Sequence, residues 1–397
     1  MGERVETVVV GAGQAGLSTS WHLTRRGIEH VVLERGRVGQ EWRQARWDSF
    51  VLNTPNWAQQ LPGFAYDGPA PDAFAPLAEV IGYLEDYATS FAAPVRQGAA
   101  VTALRAAPGG GYRIDTEGGP IDARSVVVAT GAYQRPTPSL LRDAAPPGVF
   151  QQHTAEYRNP GELPDGAVLV VGSGQSGCQV AEDLLGAGRT VYLSVGACPW
   201  VPRNHRGRDL VHWMAESGLL DQTVDTLTAP NALVACNPAV SGTEGGHDCN
   251  PLTLMIRGAV PVGRLEGFRG NRAQFADDLA ANIAKGIGFE AALRQGFDEH
   301  AGLVPAPASA EAPDLPEVRE LDVAELGAIV WATGFQPDYR WIELPVLDSS
   351  GRPAHRRGIT DFPGLAFVGM HWLHKRKSSL FIGVGEDAEH VVEQLAA

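Results

Sequence analysis

An α/β fold of two parallel-sheet domains, one inserted into the other, is what this 397-residue sequence predicts. Three observations carry the prediction. Val8 to Gly16 reads VVVGAGQAG and Val168 to Gly177 reads VLVVGSGQSG; each is a short apolar run that breaks into a GxGxxG turn and then a helical pattern. The third observation is a strand followed by Ala-Thr-Gly that occurs twice, at Ala129-Thr130-Gly131 and at Ala332-Thr333-Gly334. The two turns are the signature of Rossmann-like dinucleotide-binding units, so two dinucleotides are expected in one chain.

Composition narrows the function classes. At 44% hydrophobic and 20% charged residues the chain reads as a soluble globular protein long enough for two domains. Its net charge of -14 excludes nucleic acid and anionic membrane surfaces as natural partners, because both demand a basic footprint. Small molecules are the expected partners, and a homodimer stays open as an assembly. No apolar run approaches a membrane span and the first strand begins almost at once without a basic leader, which sets the cytoplasm as the expected compartment. Cys178, Cys198, Cys236 and Cys249 form neither a CxxC nor a metal-ligand cluster, so no metal is expected.

Taken in order, residues 4–10 form a buried-type strand, Gly11, Gly13 and Gly16 the turn, and Leu17 to Arg26 a helix closed by Gly27. A second strand, Ile28 to Leu33, ends at Glu34. A carboxylate about 20 positions beyond the glycines is placed to accept hydrogen bonds from the ribose hydroxyls of an adenosine; otherwise Glu34 is a solvated strand end. Gly39 to Trp42 and the stretch from Trp47 to Pro62 are dense in tryptophan and serve either as pocket lining or as core. Leu77, Val80, Ile81, Leu84, Tyr87 and Phe91 recur at helical spacing. From Ala100 to Ile121, glycine-broken runs predict a small antiparallel meander, followed by the buried run Val126 to Val128.

The second turn, Gly172, Gly174 and Gly177 with Ser173, Gln175 and Ser176 between them, leads into a helix and the strand Thr190 to Val195. That strand ends in Ser194 rather than a carboxylate, with Arg203, Arg206 and Arg208 soon after. A small hydroxyl with guanidinium groups suits a 2'-phosphate, which predicts NADPH here; the alternative is that the arginines are surface charges. Residues 207–300 carry no catalytic constellation and are expected to cover this site, and Val304 to Glu317 reads as a Pro- and Ala-rich connector. The expected division is therefore 1–158, an inserted 159–326, and a return over 327–397.

The order GAGQAG, Glu34, Gly39-x-x-Trp42, Ala129-Thr130-Gly131, GSGQSG and Ala332-Thr333-Gly334-Phe335 resembles the flavin-containing monooxygenases, including the plant indole-3-pyruvate monooxygenase branch, over nearly the whole chain. The resemblance implies the paired-nucleotide architecture shared with disulfide reductases, with FAD on the first turn and NADPH on the inserted second. Cofactor contacts are expected at Gly11, Gly13, Gln14, Ala15, Gly16, Glu34, Arg35, Gly39, Trp42, Ala129, Thr130, Gly131, Ala332, Thr333, Gly334 and Gly383. Gly383 opens a helix whose N-terminal amides are expected to face a flavin edge. Of the family's FxGxxxHxxx fingerprint, His153 to Tyr157 matches the second half, whereas Pro147 and Val149 depart from the first. Asn53 falls where the family has an asparagine against the flavin, or is an ordinary turn residue before Thr54-Pro55.

The activity so implied is oxygen insertion into a small organic substrate, at nitrogen, sulfur or carbonyl carbon, through an oxygen adduct at flavin C4a, with Asn53 as the candidate catalytic donor. Trp57, His371 and Trp372 are candidate pocket residues, His371 being either a packed loop histidine or a participant. The rival is an NADPH oxidase or flavin reductase of the same architecture without redox cysteines.

Overall fold

The computed structural model describes residues 3–228, 233, 239–305 and 314–397. Cys236 and residues 306–313 of the expected connector lie outside them. Among the described residues no helix is long and apolar enough to cross a membrane, and no group of acidic, histidine and cysteine side chains is arranged to hold a metal.

The first sheet grows from β1 (Glu3–Val10), whose last four residues are all buried. A strand with apolar side chains on both faces must be covered on both, which places it at the centre of a parallel sheet. β2 (His30–Glu34) and β6 (Gly119–Val128) flank it, both parallel, with Val10 opposite Leu33 on one side and Val128 on the other. β3 (Val95–Gln97) extends the β2 edge. β4 (Val101–Ala106) and β5 (Tyr112–Thr116) form the expected antiparallel meander, which continues directly into β6. The sheet order is β3-β2-β1-β6-β5-β4. Between β1 and β2 runs helix α1 (Gln14–Arg25), and the loop after β2 contains the short helix α2 (Gln40–Gln44) and the longer α3 (Leu77–Ser90).

The second sheet is entirely parallel, in the order β7-β14-β8-β9-β10. Its strands are β7 (Phe150–His153), β8 (Ala167–Val171), β9 (Val191–Ser194), β10 (Val260–Val262) and β14 (Leu326–Trp331), all six residues of the last being buried. Helix α4 (Gln175–Gly186) follows β8 as α1 follows β1. Residues 207–300 supply α5 (Leu210–Glu216), α6 (Pro251–Ile256) and α7 (Leu279–His300). Local chemistry starts two of these: Asp209 accepts from the Val211 amide, and Asn250 with Thr253 forms a reciprocal capping box with Pro251 at the first helical position. A small antiparallel sheet, β11 (Leu265–Arg269), β12 (Arg272–Phe275) and β13 (Glu320–Asp322), leads back to β14. The chain rejoins the first sheet at β15 (Leu365–Phe367), parallel to the end of β6, and closes with α8 (Val384–Ala396).

Two strands of the second sheet lie across the expected boundaries. β7 lies within 1–158 yet pairs with β14, and β14 lies at the start of 327–397 yet stands between β7 and β8 in the second sheet. The second sheet therefore spans residues 150 to 331. The run Leu326 to Trp331 looks like a partner for the first sheet because its Ala-Thr-Gly ending duplicates that of β6. Backbone packing decides otherwise, as the turns show.

Candidate functional site

Each glycine turn is built by the same two close approaches. Gly11 stands at φ +105, and a Cβ there would sit 2.7 Å from the Ala129 carbonyl oxygen; Gly172 stands at φ +113, where a Cβ would meet the Ala332 oxygen at 2.6 Å. A Cβ on Gly16 would collide with the Gly11 carbonyl, and one on Gly177 with that of Gly172. Only glycine fits all four positions. Each Ala-Thr-Gly strand end therefore serves its own turn, Ala129 with Gly11 and Ala332 with Gly172.

The middle glycines are different. Gly13 and Gly174 are the residues before α1 and α4, and neither helix start carries a side-chain cap. A Cβ on Gly13 would meet nothing within 4 Å. Leu17 and Cys178 are the first residues in their helices to donate back, to Gly13 and Gly174. The amides of the first helical turn are therefore left to a ligand, with the helix dipole behind them, which is the chemistry of pyrophosphate binding. Gly131 and Gly334, both at positive φ, likewise have nothing within 4 Å of a virtual Cβ.

Glu34 is buried and not a solvated strand end. Its two carboxylate oxygens accept from the amides of Ala12 (2.8 Å) and Gly36 (3.0 Å), which fixes it beside the first turn with further lone pairs for hydroxyl donors. Gly39 donates its amide to the Ala12 carbonyl, at 3.0 Å, and joins the same turn. Arg35 is held by Glu41. Ala15 is buried against Gly369. The glutamines in equivalent slots act alike: Gln14 bonds to the Ser379 carbonyl and the Trp42 indole, Gln175 to both backbone groups of Val240. Each clamps a distant segment over its turn. On the second turn the Ser173 hydroxyl bridges to both backbone groups of Gly196, while Ser176 is half-buried. Thr130 accepts from Gln134, and Thr333 donates to the Thr137 carbonyl.

Between the turns runs a wall of rings. Trp42 stacks on Phe381 at 5.8 Å between centroids; Tyr133 meets His371 at 5.0 Å and Phe335 at 5.3 Å; His153 meets Phe335 at 5.1 Å. Asn53 stands where the two modules touch. Its side-chain oxygen accepts from Gln179 of α4 at 2.9 Å and its carbonyl accepts from Arg203 at 2.6 Å. The Nδ2 group of Asn53 remains as a donor.

Several expected site residues do other work. Arg203 is 1% exposed; it pairs with Asp209, holds the Asn53 carbonyl and packs over Phe74. Arg206 is spent on Asp298 and the Val304 carbonyl. Ser194 is buried, donating to the Gly263 carbonyl and accepting from the Leu265 amide. Arg203 and Ser194 are thus buried with their partners, whereas the Arg206 side chain is 40% exposed and its Nη1 stands outside these bonds. The sequence places these charges near the strand end, but Asp298, the partner of Arg206, is more than 90 residues away. Trp57 stacks on His212 in a separate apolar cluster, with its indole nitrogen unpartnered. Trp372 sits at φ +54, a costly conformation for a bulky residue, beneath the Arg376 guanidinium. Gly383 donates its amide to the Leu380 carbonyl and is packed against Lys377, so it is a steric joint and not an amide donor to a ligand. Lys375 and Lys377 are both neutralised by Asp221 and Glu386. Sequence reading missed Arg46, whose guanidinium lies over Trp42, Phe50 and Tyr133.

Known proteins with these features are oxidoreductases. The family described as pyridine nucleotide-disulphide oxidoreductase matches residues 8–216. An uncharacterized oxidoreductase, CzcO-like, of Geobacillus kaustophilus is 32% identical over 395 residues, 98% of either chain. The indole-3-pyruvate monooxygenase YUCCA1 of Oryza sativa is 34% identical over 194 residues, 46% of this chain and 47% of that protein. A flavin-containing monooxygenase structure from Stenotrophomonas maltophilia superposes with a TM-score of 0.67 at 23% identity, covering 99% of this chain and 98% of that one, a likeness of fold.

Two predictions follow from the geometry. Arg203→Ala leaves Asp209 without its partner in a largely buried setting, so chemical denaturation should show a loss of about 3 kcal/mol or more, with the ratio of NADPH to NADH affinity unchanged. Burial holds His371 down to about 4 from its ordinary 6.5. The unfolded chain then takes up the proton that the folded chain refuses between those values, so His371 contributes stability that is present above pH 6.5 and is lost as pH falls towards 4, by up to about 1.4 kcal/mol per pH unit. His371→Gln should therefore fall less in melting temperature than the parent between pH 6.5 and pH 4.5.

Proposed function

We propose, from the premise that this chain belongs to the pyridine nucleotide-disulphide oxidoreductase family, that it is a flavin-dependent monooxygenase: FAD on the Gly11 turn, NADPH on the Gly172 turn, and one atom of O2 passed to a small organic substrate between them. The observation that carries the reading is the pair of dinucleotide cradles joined by the Asn53 contact in a chain without a CxxC dithiol. Those disulfide reductases of this architecture that work through a protein dithiol need a CxxC. YUCCA1 and the Stenotrophomonas protein, both monooxygenases by name, support the same conclusion.

The residues present fit both groups. The Gly13 cradle, open where a Cβ would stand, takes a pyrophosphate on the free amides of α1, and Glu34 takes ribose hydroxyls. The same amides at α4 serve the second nucleotide. Arg203 is committed to Asp209 in a buried pair, while Arg206, paired with Asp298 yet exposed, keeps its Nη1 group for the phosphate of NADPH. When bound, FAD would supply the hydride-accepting and oxygen-activating chemistry that amino-acid side chains lack.

The chain's own groups position, shield and hydrogen-bond. Asn53 is oriented by Gln179 through its oxygen, so its Nδ2 donor points where the two modules meet and stabilises negative charge developing on oxygen there. The rings of Trp42, Tyr133, Phe335 and Phe381 exclude water from that junction. His371, with its acidity so raised by burial, is neutral near pH 7; its Nδ1 engages the Ser379 hydroxyl at 2.9 Å, and it acts as a hydrogen-bonding neutral ring and not as a cation.

Mixing the NADPH-reduced protein with oxygen in a stopped-flow spectrometer tests the proposal. A long-lived absorbance at shorter wavelength than oxidised flavin, preceding the return of the oxidised spectrum, is the expected result. Immediate reoxidation with stoichiometric hydrogen peroxide in the presence of every substrate offered would identify an oxidase instead.

A further inference from the structure

Arg46 occupies an unusual place for a cation. Its guanidinium carbon lies 5.1 Å from the Trp42 ring centroid, 5.5 Å from that of Phe50 and 5.7 Å from that of Tyr133. It donates one hydrogen bond within the protein, from Nη1 to the Ala45 carbonyl at 2.7 Å. Among the described residues no carboxylate lies within ion-pair distance of it; the nearby Glu41 is engaged by Arg35. A guanidinium has five N–H donors in a planar fork, so four remain unspent on a half-buried side chain. Aromatic faces stabilise its charge without neutralising it, and they leave the in-plane edge of the fork free for an oxyanion.

The root of this side chain is fixed and its position is central. Arg158 donates to the carbonyls of both Gln44 and Arg46, tying the segment from the far side. Trp42 is bonded to Gln14 in the first turn, and Tyr133 touches Phe335, which follows the Gly334 of the second module. Arg46 thus stands on the wall between the two turns. Pyrophosphates have the amides of α1 and α4 for their charge. A charge among three rings matches a ligand that carries its own flat apolar body.

We propose that Arg46 is the recognition group for an organic carboxylate substrate with a flat apolar body, the carboxylate lying bidentate on the guanidinium fork and the body beside the half-buried Trp42 and Tyr133 rings. It rests on the monooxygenase reading for the entry of substrate between the turns, but its test requires no turnover. Calorimetric titration of the FAD-loaded protein with benzoate, phenylacetate and 1-naphthoate, and with phenylacetamide as the neutral isostere of phenylacetate, reads it directly. At least one acid should bind saturably with one site per chain, and phenylacetamide at least tenfold more weakly than phenylacetate. Arg46→Gln should weaken the acid about tenfold or more, about 1.4 kcal/mol, and leave the amide unchanged. Arg46→Lys, which keeps charge but loses the fork, should fall between them, and it decides the matter if the glutamine variant fails to fold. Failure of all three acids to bind, or equal binding by the parent and the variants, overturns the proposal. So does a tenfold loss of NADP+ affinity in Arg46→Gln with acid binding intact, because the anion served is then a dinucleotide phosphate. Acid binding through Arg46 in a protein that oxygenates nothing would refute the monooxygenase reading alone.

Discussion

The approach of a glycine Cα to the backbone carbonyl of the neighbouring strand is the constraint on which both halves of this molecule depend. Gly11 rests on Ala129 and Gly172 on Ala332, and the last glycine of each motif, Gly16 or Gly177, rests on the first. With no side chain between them, β1 and β6, and likewise β8 and β14, bring their C-terminal ends together under an uncapped helix start. Unpartnered amides appear at that point because of the backbone packing, and the dipole of the following helix adds to their pull on an anion.

The two cradles do not act as independent modules. The Arg203 guanidinium, buried with Asp209, reaches across to the Asn53 carbonyl, while Gln179 of α4 holds the Asn53 side chain. Substrate chemistry between two cofactors needs their relative position fixed to a fraction of an ångström, and buried polar contacts supply such a constraint at little cost when every partner is satisfied. The arginine that looked like a ligand for the second nucleotide is in this way an architectural tie between the two.

What was legible in the sequence was local. The glycine spacing, the carboxylate of Glu34, the antiparallel meander before β6 and the alternation of apolar runs with helices are encoded within about 30 residues, and the structure has each. What escaped depends on distant pairing. The strand Leu326–Trp331 carries the same ending as β6, and only its register against β7 and β8 shows which sheet owns it. Arg206 reads as a free cation until Asp298 is brought to it by α7. Arg46 carries no motif at all; its character arises from Trp42 and Phe50, four residues to either side, and from Tyr133 beyond the first sheet. Residues that act through neighbours far along the chain leave no periodic signal.

The central claim, that the first turn is the flavin cradle and the second holds a separate nucleotide, is tested most directly by native mass spectrometry of Gly13→Val. Gly13 lies at φ -87, where valine is unstrained, and its virtual Cβ meets no protein atom, so the fold should persist while the added side chain fills the cradle. The account predicts a folded protein that has lost the mass of FAD and still gains that of NADP+ on addition. A variant that keeps FAD, or that loses both nucleotides together while folded, would contradict it.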